Sequence, residues 1–141
     1  AMWRGPMLSG AIKQLMDSTE WGDLDYLFID MPPGTGDAYL TVAKDLKPNS
    51  AILVTTESPL AVQDTLKSKI LFQKLNIPIL GYINNMVSSS SSGGGTEGDI
   101  TNILGLDLLG SIPMDDDVAN FNLIGSAKLF ESTYNNLKII I

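Results

Sequence analysis

The residues best suited to chemistry lie in one acidic, glycine-rich stretch, residues 30–37, with the sequence Asp-Met-Pro-Pro-Gly-Thr-Gly-Asp. Two prolines and two glycines follow Asp30 within six residues, so the chain must turn sharply there. Residues 26–29 form a short apolar run rich in aromatic and β-branched side chains, which predicts a strand buried on both faces. A carboxylate at the carboxyl end of such a strand, leading into a glycine-rich turn, is where open α/β sheets place ligands. Taken alone, the stretch is equally compatible with a solvated aspartate in a turn.

Four strands are predicted, and each ends near a residue that could contact a ligand. They cover residues 26–29, 51–55, 77–83 and 106–112. Helical patterns lie between them, and this alternation predicts a parallel sheet with right-handed crossovers. Because the carboxyl ends of parallel strands share one edge of the sheet, that edge is expected to carry the following residues: Asp30, Thr55, Thr56, Asn85 and Pro113.

The helices are predicted from apolar residues spaced three and four positions apart. One begins at Leu8, with Ser9 as a candidate cap, and a second follows the glycine-rich turn. A third begins at Ser58 and Pro59, which are typical of an N-cap followed by proline at the first helical position. The last helical stripe is expected to face the core and consists of Ala127, Phe130, Tyr134, Leu137 and Ile141.

Composition limits the classes of function. The 141 residues, 44% of them hydrophobic and 18% charged, predict a single globular α/β domain over residues 1–141, with a flexible Ser/Gly loop at 87–99. Nine basic and sixteen acidic residues give a net charge of −7, which argues against nucleic-acid binding. The sequence has no apolar run of about 20 residues and no signal-peptide layout, so no membrane association and a cytoplasmic location are expected. The absence of cysteine and histidine removes the usual zinc and iron–sulfur ligands.

Several separate motifs resemble those of one protein family. Residues 30–37 are preceded by Trp-Gly-Asp-Leu-Asp-Tyr-Leu at 21–27 and by Trp-Arg-Gly-Pro-Met at 3–7. This set is similar to the Mrp/ApbC/Nbp35 family of MinD-like P-loop ATPases, which carry iron–sulfur clusters, and the resemblance runs through most of residues 2–118. It implies an α/β, parallel-sheet, P-loop NTPase-like fold (Rossmann-like, three-layer) that is N-terminally incomplete here. It also implies ATP and Mg²⁺ as cofactors, a homo-oligomer such as a dimer, and apo iron–sulfur client proteins as partners.

The resemblance assigns roles to residues of the glycine-rich stretch. Asp30 matches a catalytic aspartate that holds Mg²⁺ through water. Gly34 matches a catalytic glycine whose backbone N–H senses the γ-phosphate, and glycine suits that place because the phosphate must approach the bare backbone. Thr35 and Gly36 complete the nucleotide-binding signature, whereas Asp37 could equally cap the helix that follows.

Two further motifs would contact the base. Asn85 matches an adenine-reading asparagine, whose amide can donate to and accept from a purine edge; the alternative is a turn-forming asparagine after a strand. The residue before it is Asn84 in place of the family's glutamate. Residues 110–115, Gly-Ser-Ile-Pro-Met-Asp, match a loop beside the base, so Pro113 and Met114 are candidate contacts to the ring.

Two family elements are missing. The sequence contains no Gly-Lys pair and therefore no Gly-x-x-x-x-Gly-Lys-Ser/Thr loop for the phosphates, so no ATP turnover by this chain alone is expected. Serines at 88–92 occupy the place of a Cys-x-x-Cys pair, and a serine hydroxyl does not ligate iron as a thiolate does. Loss of the first strand–helix units is expected to expose a sheet edge and favour self-association. The alternatives are a non-catalytic interaction module on the same fold and a MinD/ParA-type positioning ATPase.

Overall fold

The computed structural model describes residues 5–31, 36–88, 95–120 and 127–140. Helices and strands alternate along most of this length. The elements are α1 (Gly5–Ser18), α2 (Asp37–Thr41) continued by a π-helical turn (Val42–Leu46), β1 (Ala51–Thr55), α3 (Pro59–Lys74), β2 (Ile79–Val87), α4 (Gly95–Leu104), β3 (Leu108–Pro113), α5 (Asp116–Ala119), and α6 (Glu131–Ile140) after a 3₁₀ turn (Ala127–Phe130). Among the described residues, no helix combines the length and the apolar character that crossing a membrane requires.

Three parallel strands form one sheet in the order β1-β2-β3. Leu53 of β1 lies opposite Tyr82 of β2, and Tyr82 lies opposite Leu108 of β3. These side chains contribute to the core on the face that α3 and α4 cover. Because side chains alternate along a strand, Val54 belongs to the opposite face. Gly110 also faces that side, because the register shifts between Leu108 and Gly110, and it lies against Thr133 where α6 packs on β3. The predicted parallel α/β arrangement is therefore confirmed for three of the four strands.

The fourth predicted strand, residues 26–29, does not form. These residues join no sheet, and the side chains of Tyr26 and Phe28 are 55% and 70% exposed. An apolar run becomes a strand only where a neighbouring strand supplies partners for its N–H and C=O groups, and none of the three strands of the described sheet pairs with this run. The predicted placement of Asp30 at the end of a buried strand is wrong for the same reason, since Asp30 is exposed.

The core lies between the sheet and the helices α2, α3 and α4. The ring of Tyr39 in α2 lies 5.6 Å from the ring of Phe72 in α3, and Tyr82 and Leu104 are fully buried. Burial raises the pKa of the Tyr39 hydroxyl above 10.0, and a hydrogen bond with Ser68 opposes this shift. The Tyr39 hydroxyl is therefore neutral throughout the physiological pH range.

The first two helices pack against each other through polar contacts. The hydroxyl groups of Ser9 and Thr41 share a hydrogen bond, and Lys13 forms an ion pair of 3.1 Å with Asp45 of the π-helical turn. Ser9 was expected to cap the helix, but α1 begins at Gly5, so Ser9 lies inside it and its hydroxyl is used for packing.

Helix α3 begins at Pro59, as predicted, and Ser58 is its N-cap residue with an extended backbone. The Ser58 hydroxyl, however, makes no capping hydrogen bond. The Ser58 N–H instead donates to the hydroxyl of Thr56 at 3.3 Å. The predicted position of the N-cap is confirmed. In place of a capping hydrogen bond from the Ser58 side chain, a local turn forms in which the Thr56 hydroxyl accepts from the Ser58 N–H.

The predicted Ser/Gly loop differs from the structure in its extent, and the predicted C-terminal helical stripe differs in its phase. The range 87–99, predicted as a flexible loop, contains the end of β2 and the first residues of α4; residues 89–94 lie outside the described part of the chain. In the C-terminal helix, Thr133 is buried and Tyr134 is 61% exposed. The predicted stripe counted through the 3₁₀ turn, whose three residues per turn shift the phase of the helix that follows. Ile141 also lies outside the described residues.

The hydroxyl of Tyr82 connects the sheet to α4 and allows a conservative test. It shares a hydrogen bond with the Thr101 hydroxyl at 2.8 Å and donates to the Glu97 carbonyl at 3.3 Å. We expect Tyr82→Phe to lower the free energy of unfolding by about 1–2 kcal/mol, because these partners lose a buried hydrogen bond. Urea denaturation measures the change, and Tyr134→Phe at an exposed position is the matched control. Equal midpoints for the two variants would show that the Tyr82 hydroxyl does not stabilise the fold.

Candidate functional site

Polar residues meet at the carboxyl edge of the sheet. β1 ends at Thr55 and is followed by Thr56, Asn85 lies near the end of β2, and β3 ends at Pro113. Because the strands are parallel, these ends share one edge, as the sequence predicted for these three strands. Open α/β sheets bind ligands at this edge, so it is the candidate site.

A β-bulge lies near the carboxyl end of β2 and changes the direction of its side chains there. Asn84 lies opposite Ser111 and Val87 lies opposite Pro113, so β2 has one residue more than β3 over the same length. Met86 takes up the extra residue with a φ of 56°, a backbone conformation that a residue with a side chain rarely adopts. Bulges are common next to binding sites, where they redirect a side chain. This bulge, residues 85–86, contains the predicted base-reading residue Asn85, which is half-buried.

Two further contacts hold the ends of the three strands together. The N–H of Met114 donates to the carbonyl of Val87 at 2.9 Å, which joins β3 to β2 beyond the bulge. The N–H of Ser88 donates to the carboxylate of Glu57 at 3.4 Å, which joins the end of β2 to the segment that follows β1. The contact between Glu57 and Ser88 was not predicted from the sequence, because residues so far apart along the chain give no local signal of contact.

An open depression of about 500 Å³ lies beside this edge, lined by Ser88, Met114, Asp115, Asp116 and Asp117. Met114 is 69% exposed and offers an apolar surface suited to a ring. Three carboxylates lie next to it. Asp115 caps α5, because one of its carboxylate oxygens accepts from the N–H groups of Asp117 at 2.8 Å and Val118 at 3.2 Å. Asp115 in the Ile-Pro-Met-Asp motif therefore has a structural role at the margin of the depression.

The residues predicted to contact phosphate and Mg²⁺ belong to none of the three strands, and two of them lie outside the described residues. Asp30 is exposed and belongs to no strand. Gly34 and Thr35 lie outside the described residues. Gly36 is exposed and its carbonyl accepts from Leu40 at the start of α2, at 3.0 Å. The structure thus places Asn85, Pro113 and Met114 at one edge of the sheet, and it places Asp30 in none of the three strands.

The described residues differ in how well they fit a purine base, a triphosphate with its metal ion, and an iron–sulfur cluster. The half-buried amide of Asn85 and the apolar Met114 suit a purine. The three carboxylates of residues 115–117 do not suit a triphosphate, which they would repel. No group of three or more His, Cys, Asp or Glu side chains is arranged to hold a metal ion within the part of the chain that the structure describes. A cluster cannot be ligated by thiolates of this chain, because it has no cysteine.

A polar row crosses the sheet directly beneath this edge, and the sequence analysis did not identify it. Thr55, Asn84 and Ser111 lie opposite one another on three adjacent strands. Asn84 is fully buried, and Ser111 donates its hydroxyl to the carboxylate of Glu97 in α4. The available signal was a polar residue near the end of each of three apolar strands, but which residues face each other depends on register.

A family model described as "ParA: NUBPL iron-transfer P-loop NTPase" matches residues 1–138 of the chain. Two curated proteins named "Iron-sulfur cluster carrier protein" are similar to it. The protein from Aquifex aeolicus is 42% identical over 127 residues, which is 84% of this chain and 35% of that protein. The protein from Pseudomonas fragi is 43% identical over 124 residues, which is 80% of this chain and 42% of that protein. The chain thus spans less than half the length of these relatives.

Solved structures of MinD proteins have a similar fold. The cell division ATPase MinD of Pyrococcus furiosus superposes with a TM-score of 0.68 at 22% identity, covering 98% of this chain and 60% of that protein. MinD of Aquifex aeolicus gives a TM-score of 0.70 at 15% identity, covering 96% of this chain and 61% of that protein. These TM-scores show a MinD-like α/β fold, and the family match shows the relationship to P-loop NTPases. The chain belongs to the NUBPL iron-transfer P-loop NTPase family.

Proposed function

We propose that this chain forms the base-binding side of the nucleotide site in an iron–sulfur cluster carrier. The observation that carries the proposal is the position of Asn85, whose half-buried amide lies in the β2 bulge at the carboxyl edge, on the strand next to Pro113 and Met114. Similarity to proteins named as cluster carriers supports the same assignment.

In this proposal the amide of Asn85 donates to and accepts from the edge of an adenine ring. Pro113 at the end of β3 and Met114 just after it contact the face of the ring. The hydrogen bond from Met114 N–H to Val87 holds this segment against the end of β2, so both contacts come from one tied pair of strands. Bound ATP would supply free energy of hydrolysis for loading or releasing a cluster.

The phosphate side of the site stays a prediction. We propose that Asp30 holds Mg²⁺ through water and that Gly34, Thr35 and Gly36 contact the phosphates. The sequence offers no Gly-Lys loop to them, and residues 115–117 add negative charge. We therefore expect no ATP turnover from this chain alone, as measured by phosphate release with Mg²⁺. Turnover that is lost in Asp30→Ala would contradict this expectation.

The cluster is the cargo of the proposed carrier. Since these 141 residues contain no cysteine, the proposal requires that the thiolates come from outside them, with apo iron–sulfur proteins as recipients. A homo-oligomer, a cytoplasmic location and a single domain over residues 1–141 stay predictions. The three carboxylates of residues 115–117 beside Met114 favour a second candidate function, a non-catalytic interaction module on the same fold, and the nucleotide experiment below distinguishes the two.

Nucleotide binding tests the proposal directly. We expect a fluorescent ADP analogue to bind the wild-type protein saturably, and Asn85→Ala to weaken binding roughly tenfold or more, because both hydrogen bonds to the base are lost. Asn102→Ala, at an exposed position of α4, is the matched control and should bind like the wild type. The absence of saturable binding by the wild type, or equal binding by all three proteins, would contradict the base site and favour the interaction module.

A further inference from the structure

The polar row lies in a place where the fold otherwise buries apolar side chains. Thr55, Asn84 and Ser111 are on the sheet face that α3 and α4 cover, and the row before them on this face includes the core residue Tyr82. Two of the three polar side chains have hydrogen-bond partners. The hydroxyl of Thr55 donates to the carbonyl of Thr56 at 3.2 Å, and that of Ser111 donates to Glu97.

Asn84, at the centre of the row, has no such partner. Its side chain has an exposure of 0%, and neither its amide nitrogen nor its amide oxygen is hydrogen-bonded to a protein group among the described residues. A buried amide without a partner lowers folding stability, whereas an apolar side chain of similar size would fill the same place without that loss. A natural site that departs from this rule calls for a functional explanation.

The bulge begins immediately after Asn84. The ladder between β2 and β3 is interrupted between Asn84 and Val87, and a bulge leaves main-chain groups of its extra residue without ladder partners. The amide of Asn84 has the same donor and acceptor groups as a peptide unit. One water molecule can join such groups, since buried waters typically make about three hydrogen bonds to otherwise unpaired polar groups.

We propose that Asn84 is a positioning residue for the candidate nucleotide site, and that it orders the bulge at Asn85 and Met86 through a buried water molecule held in the polar row. The water bridges the Asn84 amide and the main chain of the bulge, and this contact fixes the direction in which Asn85 points. The inference rests on the proposed function for its purpose, but its structural content does not depend on nucleotide.

The wild-type protein provides the first test. In a nuclear magnetic resonance experiment, we expect rotating-frame cross-peaks between water and the side-chain amide protons of Asn84, as for a long-lived buried water. Cross-peaks that are absent while those amide protons are resolved would overturn the proposal. This measurement needs neither a variant nor a nucleotide.

Two variants provide the second test. Asn84→Leu keeps the approximate size of the side chain and removes the amide. Thr133→Val is its control, because the Thr133 hydroxyl is also buried without a partner among the described residues but lies on the opposite face of the sheet. We expect the main-chain amides of Met86 and Val87 to exchange with solvent roughly tenfold faster in Asn84→Leu, as for one lost hydrogen bond, and to be unchanged in Thr133→Val.

Nucleotide affinity completes the test. Asn84→Leu should weaken binding of the fluorescent ADP analogue, whereas Thr133→Val should not. Unchanged exchange at the bulge in Asn84→Leu, or equal changes in both variants, would overturn the proposal. If Asn84→Leu does not fold, the water cross-peaks of the wild type decide whether Asn84 holds a buried water molecule. If the wild type binds no nucleotide, the proposed function fails, while the cross-peaks and the exchange rates still decide whether Asn84 orders the bulge.

Discussion

Gly110→Ala is expected to destabilise the protein by about 3 kcal/mol, because the new Cβ has no room between β3 and α6. It would lie 2.0 Å from Oγ1, 2.7 Å from Cβ and 2.9 Å from Cα of Thr133. A rotamer change of Thr133 could relieve the first contact only, so the backbone of α6 must move away from the sheet. Against a total stability of about 5–15 kcal/mol for a native domain, this loss is large. Urea denaturation followed by circular dichroism measures it.

Gly98→Ala is the matched control for this substitution. Gly98 lies in α4, and a Cβ added there meets no atom within 4 Å. Alanine should therefore stabilise the helix by about 0.5–1 kcal/mol, since glycine in a helix interior is unfavourable. Opposite signs for the two variants would support close packing of α6 on β3. An unfolding midpoint for Gly110→Ala equal to that of the wild type would show that this helix does not pack there in solution.

Phe72→Ala is expected to lower the free energy of unfolding by about 3–5 kcal/mol, the usual loss for a buried aromatic side chain. Phe72 is buried in α3 and its ring packs against Tyr39, so the substitution leaves a cavity where α2 meets α3. The loss of the ring pair adds to the lost burial. The expected shift of the urea midpoint is about 1–3 M.

Leu60→Ala in the same helix is the control, because Leu60 is exposed and its truncation should change stability by less than about 0.5 kcal/mol. Because the ring of Tyr39 in α2 packs against Phe72, Phe72→Ala should also loosen α2, visible as faster amide exchange in residues 39–43. A small effect of Phe72→Ala, similar to that of Leu60→Ala, would mean that α2 is not docked on α3.

The sequence by itself determined the class of fold and the family. Apolar runs separated by helical periodicity predicted β1, β2 and β3 and their parallel arrangement, because burial on both faces leaves a local signal in each strand. The separate motifs at 3–7, 21–27 and 30–37 pointed to the family that the comparison then confirmed. Thr55, Asn85 and Pro113 were also placed on one edge from the sequence, because strand ends in a parallel sheet share an edge.

Tertiary structure decided which segments found partners. Residues 26–29 have the composition of a buried strand, yet their side chains are largely exposed, since pairing depends on a neighbour that local sequence does not specify. The phase of α6 depended on the 3₁₀ turn before it. The polar row and the bulge depended on register, which brings Thr55, Asn84 and Ser111 together from positions far apart in the chain. Local composition reports the tendency of each segment to be buried, and only the packed sheet selects the neighbour of each side chain.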